Sequence, residues 1–174
     1  FIAVPGVLGV LFGGLAFRFP GLAVVAAILL LCSLYFAYAR YLFSARGPHI
    51  QARVQDLVLD RMAGWAGTGR VLDIGCGNGP LTIQIAKRYP QAEVTGIDYW
   101  GAAWEYSKGV CDRNAEIEGV AGTVAFERAS AAQLPFDDGA FDVVVSNLVF
   151  HEVRDVSDKK ELIREALRVV RKGG

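Results

Sequence analysis

The sequence predicts an α/β fold, a doubly wound and mostly parallel sheet, preceded by two transmembrane helices. Three observations carry this expectation. Beyond residue 70, short apolar runs of strand length alternate with stretches of helical periodicity, the pattern that lays helices over a parallel sheet. One such run, Val71-Leu72-Asp73-Ile74, passes directly into the glycine turn Gly75-Cys76-Gly77-Asn78-Gly79. Residues 1–39 carry a single charge, Arg18.

The charge distribution divides the chain. Lys and Arg number 18 and Asp and Glu 18, so the 174 residues are formally neutral. After Arg18, 17 basic and 18 acidic residues follow, a formal charge of −1 on residues 40–174. That balance gives no electrostatic footprint for nucleic acid, and with 53% apolar residues the chain is not disordered. Cys32, Cys76 and Cys111 lie far apart in sequence, without a C-x-x-C pair or histidines at ligand spacing. Neither a disulfide framework nor a metal site is supported.

In the apolar part, Phe1 to Phe17 and Leu22 to Ala39 are uncharged and are separated by Arg18-Phe19-Pro20-Gly21. At the α-helical rise these runs reach roughly 25–27 Å, slightly under the ~30 Å of a bilayer's hydrocarbon core. A hairpin of two membrane helices over 1–43 fits best; a buried core hairpin or a secretory signal are the alternatives, the latter with the small-residue step Ala37-Tyr38-Ala39. Gly9 and Gly13 form a G-x-x-x-G step suited to close helix approach. Pro5 suits helix entry, and Tyr35, Phe36, Tyr38 and Tyr41 suit an interfacial belt. Arg40, Arg46 and Arg53 follow the second run, which by the positive-inside rule puts a multi-pass membrane protein's remaining chain in the cytoplasm.

Residues 44–69 are expected to hold a linker and a leading helix, with Ile50, Val54, Leu57, Val58 and Met62 at helical spacing. The α/β domain occupies 70–174. Strand 71–74 and the glycine turn lead into a helix from Pro80 to Tyr89, proline standing at its first turn. Strand 93–97, a helix from about Ala102 to Glu118, strand 123–126, a loop with Leu134-Pro135-Phe136, strand 141–146 and a helix from about Asp158 to Val170 complete the series.

The glycine turn is the strongest chemical signal. Glycines allow a tight turn with room for a ligand, and the following helix offers free N–H groups to a negative group. Pro80 stands where a dinucleotide G-x-G-x-x-G needs its last glycine, and no phosphate-loop G-K-[ST] is present. A nicotinamide oxidoreductase is disfavoured on that ground. Asp98 ends the second strand, 19 positions after Gly79, where a carboxylate can accept both hydrogen bonds of a ribose diol.

With these motifs in order, VLDIGCGNG, VTGID, LPF, FDVVVSNLVFHEV and EALRVVRKGG, residues 49–174 resemble the class I S-adenosylmethionine-dependent methyltransferases, above all the small-molecule group that includes quinone-biosynthesis C-methyltransferases. The resemblance implies S-adenosyl-L-methionine as cofactor. It gives Asp73, Gly75, Cys76, Gly77 and Gly79 to the methionine part, Asp98 to the ribose and Tyr99 to the adenine. The position that commonly holds an acidic residue before L-P-F is Ser130, a weaker acceptor, with Ala131 beside it. Asn147 would lie where the fourth strand meets the ligand crevice. For Asp73 the alternative is an anchor for the loop, for Asp98 a strand cap, and for Cys76 a small filler whose thiol nothing marks as activated.

His151, just beyond the fourth strand, is the candidate catalytic residue: it could remove a proton from the methyl acceptor near neutral pH. The competing reading is a helix-start residue bonded to backbone. Asp142 is expected to order its strand, and Trp100, Trp104 and Tyr106 are either core or a wall for a sulfonium cation. Ser146-Asn147-Leu148-Val149 lacks the prolines of a DNA amino-methyltransferase. The expected function is a membrane-anchored methyltransferase for a small or lipid-like acceptor; a tethered module that holds the cofactor without catalysis is the second reading. Beginning at Phe1 and ending at Gly174, the chain reads as a segment cut at both ends, stopping before the family's fifth strand.

Overall fold

The computed structural model describes residues 3–16, 19–20, 22–44, 49–101, 107–153 and 156–173. The chain forms two compact units, Phe1–Val54 and Gln55–Gly174.

In the first unit, α1 (Ala3–Ala16) and α2 (Leu22–Phe43) pack on each other. Gly9 makes the close approach, since a Cβ there would lie 3.0 Å from Leu30 Cγ. Gly13 has nothing within 4 Å of such a Cβ, so only half of the expected G-x-x-x-G step is used. The two helices differ in reach: 14 residues of α1 span roughly 21 Å and 22 residues of α2 roughly 33 Å. Among the described residues one helix, Leu22–Leu42 with mean hydropathy 2.4, is long and apolar enough to cross a membrane. Two spanning helices were expected; the described part of α1 holds 14 residues, and beyond it the backbone at Phe19-Pro20 bonds to Leu15, Leu22 and Ala23. Leu31, Leu34 and Tyr35 of α2 point outward, each about two-thirds exposed.

The second unit is built on four parallel strands, β1 (Thr68–Ile74), β2 (Gln91–Asp98), β3 (Val124–Arg128) and β4 (Val143–Ser146), in the order β3-β2-β1-β4. Its helices are α3 (Ile50–Arg61), which contributes from Gln55 onward, α4 (Pro80–Arg88), α5 (Lys108–Ile117) and α6 (Lys160–Val169). Successive side chains of a strand face opposite ways. Val71 accordingly joins Leu59, Met62, Leu81, Ile85 and Val94 on one face. Leu72 and Ile74 join Ile97, Leu134, Phe141, Leu162 and Val169 on the other. Both faces are covered, which is why β1 reads as an unbroken apolar run interrupted only by Asp73. Leu59 and Met62 place the end of the leading helix inside this core, so the second unit starts at Gln55 rather than at residue 70.

Three of the boundaries that differ from expectation have a visible cause. The fifth helix starts at Lys108, because Ser107 caps it by accepting from Val110 N–H at 3.4 Å; Trp104 and Tyr106 lie outside the described residues. β4 begins at Val143, since Phe141 pairs instead with Val170. β1 starts three residues early, where Arg70 N–H donates to Asp142 Oδ2 at 2.7 Å. Asp142 thus orders the start of both strands, and Arg171 closes an ion pair on it.

The strand order reverses at β1, with β2 and β3 to one side and β4 to the other. The loops that leave the carboxyl ends of β1 and β4 therefore diverge, and in doubly wound sheets a ligand sits at that switch point.

Candidate functional site

Gly75, Gly77 and Gly79 all adopt positive φ, at 78°, 60° and 87°. At Gly75 the requirement is also spatial: a Cβ would stand 2.1 Å from Val149 Cγ2, so the loop after β4 closes over the loop after β1. Ser146 adds a second tie between these strand ends, its hydroxyl donating to Ile74 O at 3.0 Å.

Asp73 lies beneath the loop, fully buried, and accepts from the Thr82 hydroxyl at 2.7 Å and from the Thr82 backbone N–H. Gly79, at the N-cap of α4, has no side chain to offer, so Asp73 serves that helix end from the neighbouring strand. Burial pushes the Asp73 carboxyl up to about 6, opposed by the two Thr82 bonds and reinforced by the charge of Asp98. Asp73 thereby ties β1 to the first turn of α4 beneath the loop.

Asp98 sits at the end of β2 with each oxygen engaged once among the described residues. Oδ2 accepts from Gly77 N–H at 2.9 Å and Oδ1 from Trp100 N–H at 3.0 Å. An ionised carboxylate has about four acceptor positions, so the pair needed for a diol remains in addition. The loop's other backbone donors are spent internally: Gly75 and Cys76 N–H both reach Ile97 O, and Gly79 N–H reaches Cys76 O. Asn78 N–H is the loop donor left without an internal partner among the described residues.

α5 holds the loop from the side. Asn114 Nδ2 donates to Asn78 O at 2.9 Å and Cys111 Sγ to Gly77 O at 3.3 Å. Cys76 is buried with Cys111, Ile83, Ala115 and Phe126, so its side chain packs the loop onto α5. The two thiols, distant in sequence, pack together, and the neighbouring Cys111 together with burial raises the Cys76 thiol far above its ordinary range. Both cysteines are free.

Tyr99 is exposed, with the Arg128 guanidinium 5.2 Å from its ring centroid and Arg128 Nε donating to its carbonyl at 3.0 Å. The guanidinium thereby covers one face of the ring. Ser130 Oγ accepts from Ala132 N–H at 3.2 Å, and Ala131 is buried against the core that holds Leu72, Ile74 and Ile97. The Leu134-Pro135-Phe136 segment is fixed by α6: Glu165 accepts from Leu134 N–H, and Arg168 donates to the carbonyls of Leu134 and Phe136. Arg168 also bonds Glu165 and holds its carboxyl below the usual range.

Asn147 is half-buried directly after β4. Leu148 follows at φ 58° and is 68% exposed, an unusual conformation for a bulky residue. His151 lies in a turn, well before α6, with Nε2 3.2 Å from Glu152 Oε1 and both side chains exposed. No helix begins at His151, so that alternative falls away.

Sequence reasoning missed Thr82, Gly96 and the place of Cys111 against the loop; Trp100, expected as core or as a wall for a sulfonium cation, packs beside Cys76, Cys111 and Phe126. A charged residue inside the buried run of β1 demands a partner, which is the signal that could have found Thr82. Gly96 has the complementary reason, since a Cβ there would fall 2.8 Å from Thr82 Oγ1.

The chain spans only about one-third to one-half of the length of the curated relatives it matches. It is 34% identical over 122 residues to the demethylmenaquinone methyltransferase of Thermus thermophilus, covering 70% of this chain and 49% of that protein. It is 40% identical over 119 residues to the 27-O-demethylrifamycin SV methyltransferase of Amycolatopsis mediterranei, covering 66% and 40%. Among solved structures, the YcgJ protein of Bacillus subtilis superposes with a TM-score of 0.57 at 27% identity, covering 69% of this chain and 47% of that one. The sequence also matches the family model described as a methyltransferase domain over residues 71–174. With the glycine loop, the β2 carboxylate and the switch point all inside that stretch, the chain belongs to the methyltransferase domain family.

Proposed function

We propose that the whole protein is a membrane-anchored, S-adenosylmethionine-dependent methyltransferase whose acceptor is a small or lipid-like molecule. The observation that carries the cofactor assignment is Asp98, whose carboxylate bonds both the glycine loop and Trp100 while keeping acceptor capacity for a diol. The residues present fit the cofactor: a carboxylate at the β2 end for the ribose, an exposed aromatic at Tyr99 for the adenine, and Asn78 N–H with the end of α4 for the polar methionine part. When bound, S-adenosylmethionine supplies a methyl group on a positively charged sulfur.

The chain's own contribution is then placement. Val149 and Gly75 fix the two loops against each other, so the cofactor side and the acceptor side keep one geometry, the main requirement of an in-line transfer. His151, beyond β4, is the residue proposed to take a proton from an acceptor that must lose one, with Glu152 orienting its Nε2. Leu148 offers an apolar surface to the acceptor beside it.

Relatives that act on demethylmenaquinone and 27-O-demethylrifamycin SV support a small, largely apolar acceptor. The apolar length of α2 and its outward Leu31, Leu34 and Tyr35 support an anchor, α1 packing on it as the second limb of a hairpin. Arg40, Arg46 and Arg53 favour a cytoplasmic catalytic unit. Incubating the purified full-length protein with methyl-labelled S-adenosylmethionine and a membrane lipid extract tests the reading. Label is expected to enter an extractable small molecule and to be lost with Asp98→Ala; cofactor binding without any transfer would favour the tethered binding module.

A further inference from the structure

Trp100, expected either as core or as a wall for a sulfonium cation, occupies a costly place. Its backbone lies at φ 40°, a region that bulky residues avoid unless their surroundings impose it. Two hydrogen bonds impose it here: the main-chain N–H donates to Asp98 Oδ1 at 3.0 Å and the indole Nε1–H donates to Gly77 O at 2.7 Å. Because Asp98 Oδ2 accepts from Gly77 N–H, the three residues close a ring of hydrogen bonds around the centre of the glycine loop. The indole body packs beside Cys76, Cys111 and Phe126.

The consequence lies in the peptide that joins Gly77 to Asn78. A planar trans peptide points its C=O and N–H in opposite directions. With the Gly77 carbonyl drawn to the indole and to the Cys111 thiol, Asn78 N–H is directed to the other side of the plane. That N–H is the loop donor not consumed within the protein among the described residues. A glycine at φ 60° has little intrinsic preference, so without the indole this peptide could rotate.

We propose that Trp100 is a positioning residue for the cofactor: its indole sets the Gly77–Asn78 peptide and its main chain sets the Asp98 carboxylate, so that Asn78 N–H and Asp98 meet the two polar ends of S-adenosylmethionine already oriented. The inference rests on the proposed function and specifies how its site is held ready.

The test is calorimetric titration of the full-length protein in detergent micelles with S-adenosylmethionine, comparing wild type with Trp100→Phe, which keeps the ring and main-chain N–H but removes the indole donor. The expected result is a Kd and KM raised about three- to tenfold, as for one lost hydrogen bond, with kcat and the ligand-free melting midpoint nearly unchanged. Unaltered affinity, or a lowered midpoint with unaltered affinity, overturns the proposal. Should Trp100→Phe fail to fold, the indole N–H resonance of Trp100 in ¹⁵N-labelled wild type decides, assigned through its sequential connectivity to Tyr99 and Gly101. Slow exchange with solvent and a shift on adding the cofactor support the role, and a fast-exchanging, unshifted resonance overturns it. If wild type itself binds no S-adenosylmethionine, it is the proposed function that fails.

Discussion

Asp73 and Thr82, nine residues apart, meet at 2.7 Å under the glycine loop, carboxylate to hydroxyl, in a place sealed from solvent. The bond joins β1 to the first turn of α4 and so fixes the two ends between which the loop is strung. Thr82→Val keeps the shape but removes the donor, leaving a buried carboxylate short of a partner. It is expected to cost about 1–3 kcal/mol in denaturant unfolding, whereas Thr82→Ser is expected to stay near wild type.

Asp73 also sets a pH dependence. Its carboxyl titrates at about 6 in the folded chain, against ~3.9 when unfolded. A raised acid pKa means the folded state holds the proton more tightly, so this contribution is complete below about pH 4 and is lost as pH rises through about 6. A shift of that size corresponds to roughly 2–3 kcal/mol. Asp73→Asn removes the titration, and the difference in unfolding free energy between variant and wild type is expected to change across that window and to level off on either side.

Gly75 admits no side chain. Gly75→Ala would push a Cβ to 2.1 Å from Val149 Cγ2 at a φ of 78°. The loops after β1 and β4 must then separate, with cofactor affinity expected to fall at least tenfold. Gly75→Ala combined with Val149→Ala relieves the collision but not the backbone strain, so partial recovery is expected. Full recovery would show that φ at Gly75 is unimportant.

The anchor has its own test. Leu31 lies near the middle of α2 and faces outward. Arginine at the centre of a spanning helix costs about 2.5–3.5 kcal/mol on insertion scales. Wild type is expected to stay with membranes through an alkaline carbonate wash, and Leu31→Arg to shift into the wash. A wild-type chain released by carbonate would contradict a spanning α2.

Much of this was legible in the sequence, for physical reasons that also mark where legibility stops. Alternation of apolar runs and helical periodicity located every strand and helix of the second unit, because both faces of the sheet are covered. The glycine loop could be read because glycine accepts such turns, and the place of Asp98 because a charged residue closes an apolar strand. The start of the fifth helix was set by Ser107, a cap hidden among equally helical neighbours. Contacts that depend on tertiary approach, such as Val149 on Gly75, Cys111 beside Cys76 and the Trp100 indole on Gly77, leave no local pattern.

The central claim is that the loop after β1 and the carboxylate ending β2 hold S-adenosylmethionine. Titration calorimetry of the full-length protein in detergent measures this directly. One cofactor per chain is predicted for wild type, with affinity lowered at least tenfold by Asp98→Ala, a loss of about 1.4 kcal/mol or more. No binding by the folded wild type, or equal affinity in the variant, would contradict it.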